Sequence, residues 1–138
     1  MNKLSKDINA MHHKFGVHEW VNDRLMRCKT DELNAFLQFR LTFLQEELNE
    51  TQDAFMNEDA EGVVDGLIDL MVIAIGTLDI LDVNTDEAWD RVHEANMAKE
   101  KGVKESRPNP LGLPDMIKPH DWIEPDHSDN TGDLEAFL

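Results

Sequence analysis

Glu46, Glu47 and Glu50 fall close together in FLQEELNETQDAF, a stretch that otherwise has the makings of a buried helix. Each helical residue turns by about 100°. Glu46 and Glu50 then lie ~40° apart and Glu47 ~60° from Glu50, so the three share one ~100° arc. Asp65 and Asp69 follow, again ~40° apart on a helix, and Asp69 is embedded in the apolar run LIDLMVIAI. A carboxylate there is costly unless something pairs with it. No Lys or Arg occurs between Arg40 and Arg91, so a protein cation is not to hand on either segment. Several carboxylate oxygens with no local base describe a site for a hard divalent cation such as Mg²⁺. The plainer reading is a solvated glutamate face, with Asp69 paired to a distant base. Asp69 in its apolar run weighs toward the metal.

These residues need helices to hold them. The first 102 residues contain no proline, whereas all five prolines (108, 110, 114, 119, 125) crowd into the remaining stretch. Proline inside a helix costs about 3 kcal/mol, so the first regime is free to be helical. Thr30 reads as an N-cap with Asp31 and Glu32 in the first turn, where the helix dipole favours negative charge. Leu33, Phe36, Leu37, Leu41, Leu44 and Leu48 then recur near a 3.6-residue period, predicting a helix to about Phe55. Asp59 caps a second helix from Ala60 to about Leu81, and Thr85 caps a third over 85–100, with Gly102 as its stop. Residues 3–14 predict a shorter helix. The expected architecture is all-α, with four helices. Helices 30–55 and 60–81 should pair antiparallel across their short connection, bringing the two carboxylate clusters together. Both are apolar on more than one face, so we expect other copies of the chain to cover the remainder, as a homodimer or homotetramer.

Composition narrows the partners. Thirteen Lys plus Arg against 29 Asp plus Glu give a net charge of −16. Such a surface repels nucleic acid and anionic membrane. It also repels a free nucleotide unless metal ions neutralise the carboxylates. One cysteine, Cys28, gives no disulfide framework. With no signal-peptide core and no apolar run long enough to span a bilayer, the reading is cytoplasmic. His12, His13 and His18 lack a His-x-x-x-His pair or a cysteine partner, which argues against zinc.

E46-E47-L-N-E50 followed by D65-G-L-I-D69-L resembles the EExxE and ExxD pattern of the all-α nucleoside triphosphate pyrophosphohydrolases, the superfamily of MazG, dimeric dUTPases and phosphoribosyl-ATP pyrophosphohydrolase. R40-L-T-F-L, D65-G-L-I-D-L-M-V-I-A-I-G76, V92-H-E-A-N-M-A-K99 and I-K118-P-H-D-W122-I-E-P-D126 are similar to segments of the short MazG-like proteins of phages and bacteria. The resemblance spans residues 36 to 126. It departs at one point: the second motif of the family would put a glutamate at position 66, where this chain has Gly66 and offers Asp65 instead.

The resemblance implies a four-helix MazG-like bundle completed by oligomerisation. It implies hydrolysis of an NTP or dNTP to the monophosphate and pyrophosphate, with dGTP as first candidate. Mg²⁺ or Mn²⁺ would be held by Glu46, Glu47, Glu50, Asp65 and Asp69, Glu61 reaching the site through water and Glu47 orienting the attacking water. Arg40, Asn96, Lys99, Lys118 and Trp122 would bind substrate. For Lys99 the plainer role is a helix-end lysine complementing the dipole, and for Trp122 it is an anchor for the tail. Residues 1–102 would be the helical catalytic domain. Residues 103–138 would be an extended tail packed on the helices, the last of them disordered, with Asp126, His127 and Asp129 in that acidic end. The alternatives are phosphoribosyl-ATP hydrolysis in histidine synthesis and a non-catalytic acidic helical interaction protein.

Overall fold

The computed structural model describes residues 3–106, 111–112 and 115–138. Arg107, Pro108, Pro110, Leu113 and Pro114 of the expected tail lie outside the described residues. The elements in chain order are α1 (Lys3–Lys14), α2 (Val17–Met26), α3 (Thr30–Met56), α4 (Ala60–Ile80), α5 (Thr85–Met97), strands β1 (Glu100–Gly102) and β2 (Asp115–Ile117), and a 3₁₀ turn at Gly132–Ala136. They fall into two units, Met1–Thr85 with Thr131–Leu138, and Asp86–Asn130. The division expected at residue 102 differs from this one.

Among the described residues the α-helices number five rather than the expected four. The added helix, α2, follows Gly16, whose left-handed φ of 71° turns the chain between α1 and α2. Its Val17, Trp20, Val21 and Leu25 sit three to four apart and line the core with Leu33, Phe36 and Leu37 of α3 and with Ile80 and Leu81. Leu134 and Phe137 complete the cluster. The C-terminus is therefore a folded part of the core, not the disordered end expected. It is held there by Asp133 N–H donating to the Leu81 carbonyl at 2.7 Å and Asn34 Nδ2 donating to the Phe137 carbonyl at 3.0 Å. Gly132 makes the approach feasible: its φ is +55°, and a Cβ there would stand 2.1 Å from the Leu81 oxygen.

α3 and α4 form the antiparallel pair the short connection demands. Asp59 caps α4 as expected, its Oδ1 accepting from Gly62 N–H at 3.0 Å. Small residues let the helices close: a Cβ on Gly66 would come 2.2 Å from Thr51 Oγ1. Further along the seam the buried Arg40 sends Nε to Thr77 Oγ1 at 2.9 Å and Nη2 to the Ile73 carbonyl at 3.1 Å. Phe39, Leu48 and Phe55 of α3 and Val64, Leu67, Ile68 and Met71 of α4 remain exposed in the single chain.

In the second unit α5 stops at Met97, short of the expected residue 100, and Gly102 is not a helix stop but the end of β1. β1 and β2 pair antiparallel in the register Glu100↔Ile117, Lys101↔Met116, Gly102↔Asp115, so part of the expected extended tail is a two-stranded ribbon. Among the described residues no helix is long and apolar enough to cross a membrane.

Candidate active site

The register of the α3–α4 pair sets the carboxylates. Thr51 meets Gly66 and Arg40 meets Thr77. Between these two contacts, Glu47 therefore falls opposite the Asp69–Leu70 step of α4. Glu47 and Asp69 are half-buried, and Glu46, Glu50, Asp65 and Glu61 are exposed. Loss of hydration pushes the Glu47 carboxyl above its ordinary range, and the charges of Glu50, Asp69, Asp65 and Glu46 add to the shift. A carboxylate that feels four others is surrounded by them. Among the described residues none of the five has a Lys, Arg or His partner within ion-pair distance. An all-oxygen, uncompensated donor set of this kind suits a hard dication.

Gly66 explains the departure from the expected motif. Its position is buried against Thr51, so a glutamate there would drive into α3. The acid one residue earlier, Asp65, is exposed and acts electrostatically on Glu47.

Arg40, a sequence candidate for substrate binding, is turned into the helix pair, with Nε and Nη2 engaged by α4. The remaining candidates assemble in the second unit around one ring. Trp122 donates its indole N–H to the Ala95 carbonyl at 2.7 Å. The ammonium groups of Lys118 and Lys99 stand 4.5 and 5.4 Å from its ring centroid. Lys99 also donates to Asn96 Oδ1 at 2.8 Å. Lys99 lies just past the end of α5 rather than on it. Arg91 holds the chain beyond Trp122: Nη1 donates to the Asp126 carbonyl at 2.7 Å and to Asp129 Oδ1 at 2.5 Å, and Nη2 to Asp129 Oδ2 at 3.1 Å. Asp126 and Asp129, expected to be disordered, are thus fastened to α5.

The family model for phosphoribosyl-ATP pyrophosphohydrolase matches residues 19–96, more than half of the chain. The chain belongs to this family. With it comes membership of the MazG-like nucleotide pyrophosphohydrolase superfamily, which the helical architecture fits. The activity of a phosphoribosyl-ATP pyrophosphohydrolase family member is hydrolysis of a phosphoric anhydride bond in a nucleotide. Comparisons with curated proteins and with solved structures give no match. The matched region contains Glu46, Glu47, Glu50, Asp65 and Asp69 together with Asn96, and it ends before Lys99, Lys118 and Trp122.

Sequence reasoning weighed His12 and His18, argued against zinc there, and did not place Asp79 beside them. His12, His18 and Asp79 each bring a ligand atom within 4.8 Å of the other two. The signal was there in the spacing of α1 and α2, but only the turn at Gly16 brings the two histidines onto one side of α4.

Proposed function

We propose that this pyrophosphohydrolase cleaves a nucleoside or deoxynucleoside triphosphate, with dGTP as the first candidate, to the monophosphate and pyrophosphate, and that it uses Mg²⁺ or Mn²⁺. The observation that carries this reading is the gathering of Glu46, Glu47, Glu50, Asp65 and Asp69 on the paired α3 and α4, with no Lys, Arg or His within ion-pair distance of any of them among the described residues. Glu46, Glu50, Asp65 and Asp69 would hold the metal. Bound there, it would neutralise polyphosphate charge and acidify a water. Glu47 then has a second role, because a carboxylate held above its ordinary range is suited to accept the proton that the water loses as its oxygen adds to phosphorus. As that bond forms, the anhydride P–O bond breaks and its bridging oxygen leaves with the other product. Asn96, Lys99 and Lys118 would bind phosphate or sugar oxygens, and Trp122, tied to Ala95 and flanked by both lysines, orders them. Arg40 would serve by fixing α3 against α4 rather than by touching substrate.

The reaction on phosphoribosyl-ATP breaks the same type of bond, and the description of the matching family favours it as the second reading. Family membership leaves little room for the non-catalytic acidic scaffold. The exposed apolar face of α3 and α4 supports a homodimer or homotetramer, to be checked by light scattering on the eluted protein. Substrate is tested with a panel of NTPs, dNTPs and phosphoribosyl-ATP under Mg²⁺, Mn²⁺ or EDTA, the products separated by ion exchange. The expected result is a monophosphate and pyrophosphate from a purine dNTP, abolished by EDTA. Turnover of phosphoribosyl-ATP alone would select the second reading, and full turnover in chelator would overturn the metal-dependent one.

A further inference from the structure

α1, α2 and α4 meet at a second polar cluster whose chemistry differs from that of the carboxylate site. His12 closes α1, His18 opens α2, and Asp79 lies in the last turn of α4. Their side chains are only 6%, 15% and 12% exposed. His18 Nε2 is 2.9 Å and His12 Nδ1 3.5 Å from the same oxygen, Asp79 Oδ2. The other oxygen, Oδ1, accepts from Asn9 Nδ2 at 2.9 Å. Both rings are held in place. His12 rests on Gly76, where a Cβ would come 2.4 Å from its Cε1. The ring of His13 stacks on His18 with centroids 4.2 Å apart.

A histidine–aspartate ion pair is the simplest use of such a cluster, and it accounts for His18. It does not account for His12. The His12 Nδ1 is buried and has no hydrogen-bond partner, although leaving a buried polar atom unpaired is costly. A neutral imidazole carries a lone pair on one ring nitrogen, which is what a metal ligand requires.

We propose that His12, His18 and Asp79 form a binding site for a borderline transition-metal dication of the zinc class, separate from the Mg²⁺-type carboxylate site. In a tetrahedron with metal–ligand bonds of about 2.0–2.1 Å, neighbouring ligand atoms stand about 3.3 Å apart. The two His–Asp79 separations, 2.9 and 3.5 Å, bracket that spacing. Two imidazoles and one carboxylate select zinc, cobalt or nickel over magnesium and calcium. Asn9 on the free carboxylate oxygen supplies the outer hydrogen bond that orients such a ligand. The Arg40 guanidinium bordering His12 opposes a dication, and the Asp79 charge offsets it. Bound metal would pin α1 and α2 to α4, a stabilising role distinct from catalysis.

The test uses the full-length chain stripped with chelator and then returned to excess Mg²⁺, so that hard sites are filled, with Co²⁺ as the probe. One equivalent should bind with the intense visible absorption of a four-coordinate nitrogen-containing site. His18→Gln should lose that signal while its circular dichroism shows intact helices. The double variant Glu47→Gln/Glu50→Gln should keep it. Zn²⁺ should raise Tm by several degrees in wild type and in the double variant, and not in His18→Gln. A weak spectrum of six-oxygen type, or a strong one that survives His18→Gln, overturns the proposal. Loss of the signal in the Glu47/Glu50 double variant alone would assign the metal to the carboxylates and overturn it equally.

Discussion

Asp69 and Asp79 stand on one helix, in neighbouring stretches of the same apolar run, and their surroundings are opposite. Asp79 is met by His18 on one oxygen and Asn9 on the other, with His12 beside them. Asp69 is one of four acids whose charges act on Glu47, and it has no basic partner within ion-pair distance among the described residues. The fold supplies an imidazole or an amide to the carboxylate at the α1–α2 end of α4 and withholds both from the carboxylate near its middle. A buried acid with partners holds a structure together. One surrounded by its own kind stores repulsion that a cation can release. The contrast separates a site built for cohesion from a site built to attract charge.

The sharpest way to break this contrast is through turnover. Glu50→Gln should lower kcat by about 100-fold or more, since in the proposed function Glu50 would be a ligand to the metal on the polyphosphate. Near-normal steady-state hydrolysis by this variant would reduce Glu50 to a surface residue. Gly66→Ala comes next. It forces a methyl group to within 2.2 Å of Thr51 Oγ1, so calorimetry should show a loss of about 1–3 kcal/mol. The alanine should also spread α3 from α4 beside Glu47 and lower kcat.

A smaller pair of effects carries opposite signs. In chelator, Asp79→Asn should destabilise by about 1–2 kcal/mol because His18 and Asn9 lose a charged acceptor. Asp69→Asn should raise Tm by relieving its repulsion with Glu47. Two shifts of the same sign would erase the distinction between the acids.

The smallest effect is in pH. Glu47 binds its proton more tightly in the folded chain than at its ordinary value of 4.5. Its contribution to metal-free stability is therefore complete below pH 4.5 and is lost as pH rises through the higher folded value. Urea denaturation in EDTA from pH 4.5 upward should show that decline, and Glu47→Gln should flatten it.

Much of this was legible in the chain before it folded. The acids of α3 and α4 could be placed because period, the Asp59 cap and a short turn fix which residues face one another. Asp65 in place of an acid at position 66 was visible as an oddity, but its reason, the fit of Gly66 on Thr51, lies between helices and leaves no pattern along either. α2 was missed because its signals are inverted: a glycine begins it, and Cys28, with a left-handed φ of 52°, follows it where glycine is usual. Cys28, Glu58 and Asp82 all take this conformation after helices of the first unit, so the usual C-terminal marker is absent from each. The strands were missed because three-residue segments carry no usable alternation. Phe137 was read as part of a polar tail, and its partners, Val21, Leu33, Ile80 and Leu81, are too far away in sequence for any local window.

That last placement has a bearing on how the protein is made. Translation proceeds from the N-terminus, and domains fold as units during synthesis. Phe137 fills the same hydrophobic cluster as α2, α3 and the end of α4, although the whole second unit, residues 86–130, lies between them in the chain. The core of the first unit therefore cannot close until the second unit has been synthesised, so the part of the chain made first waits on residues made well after it.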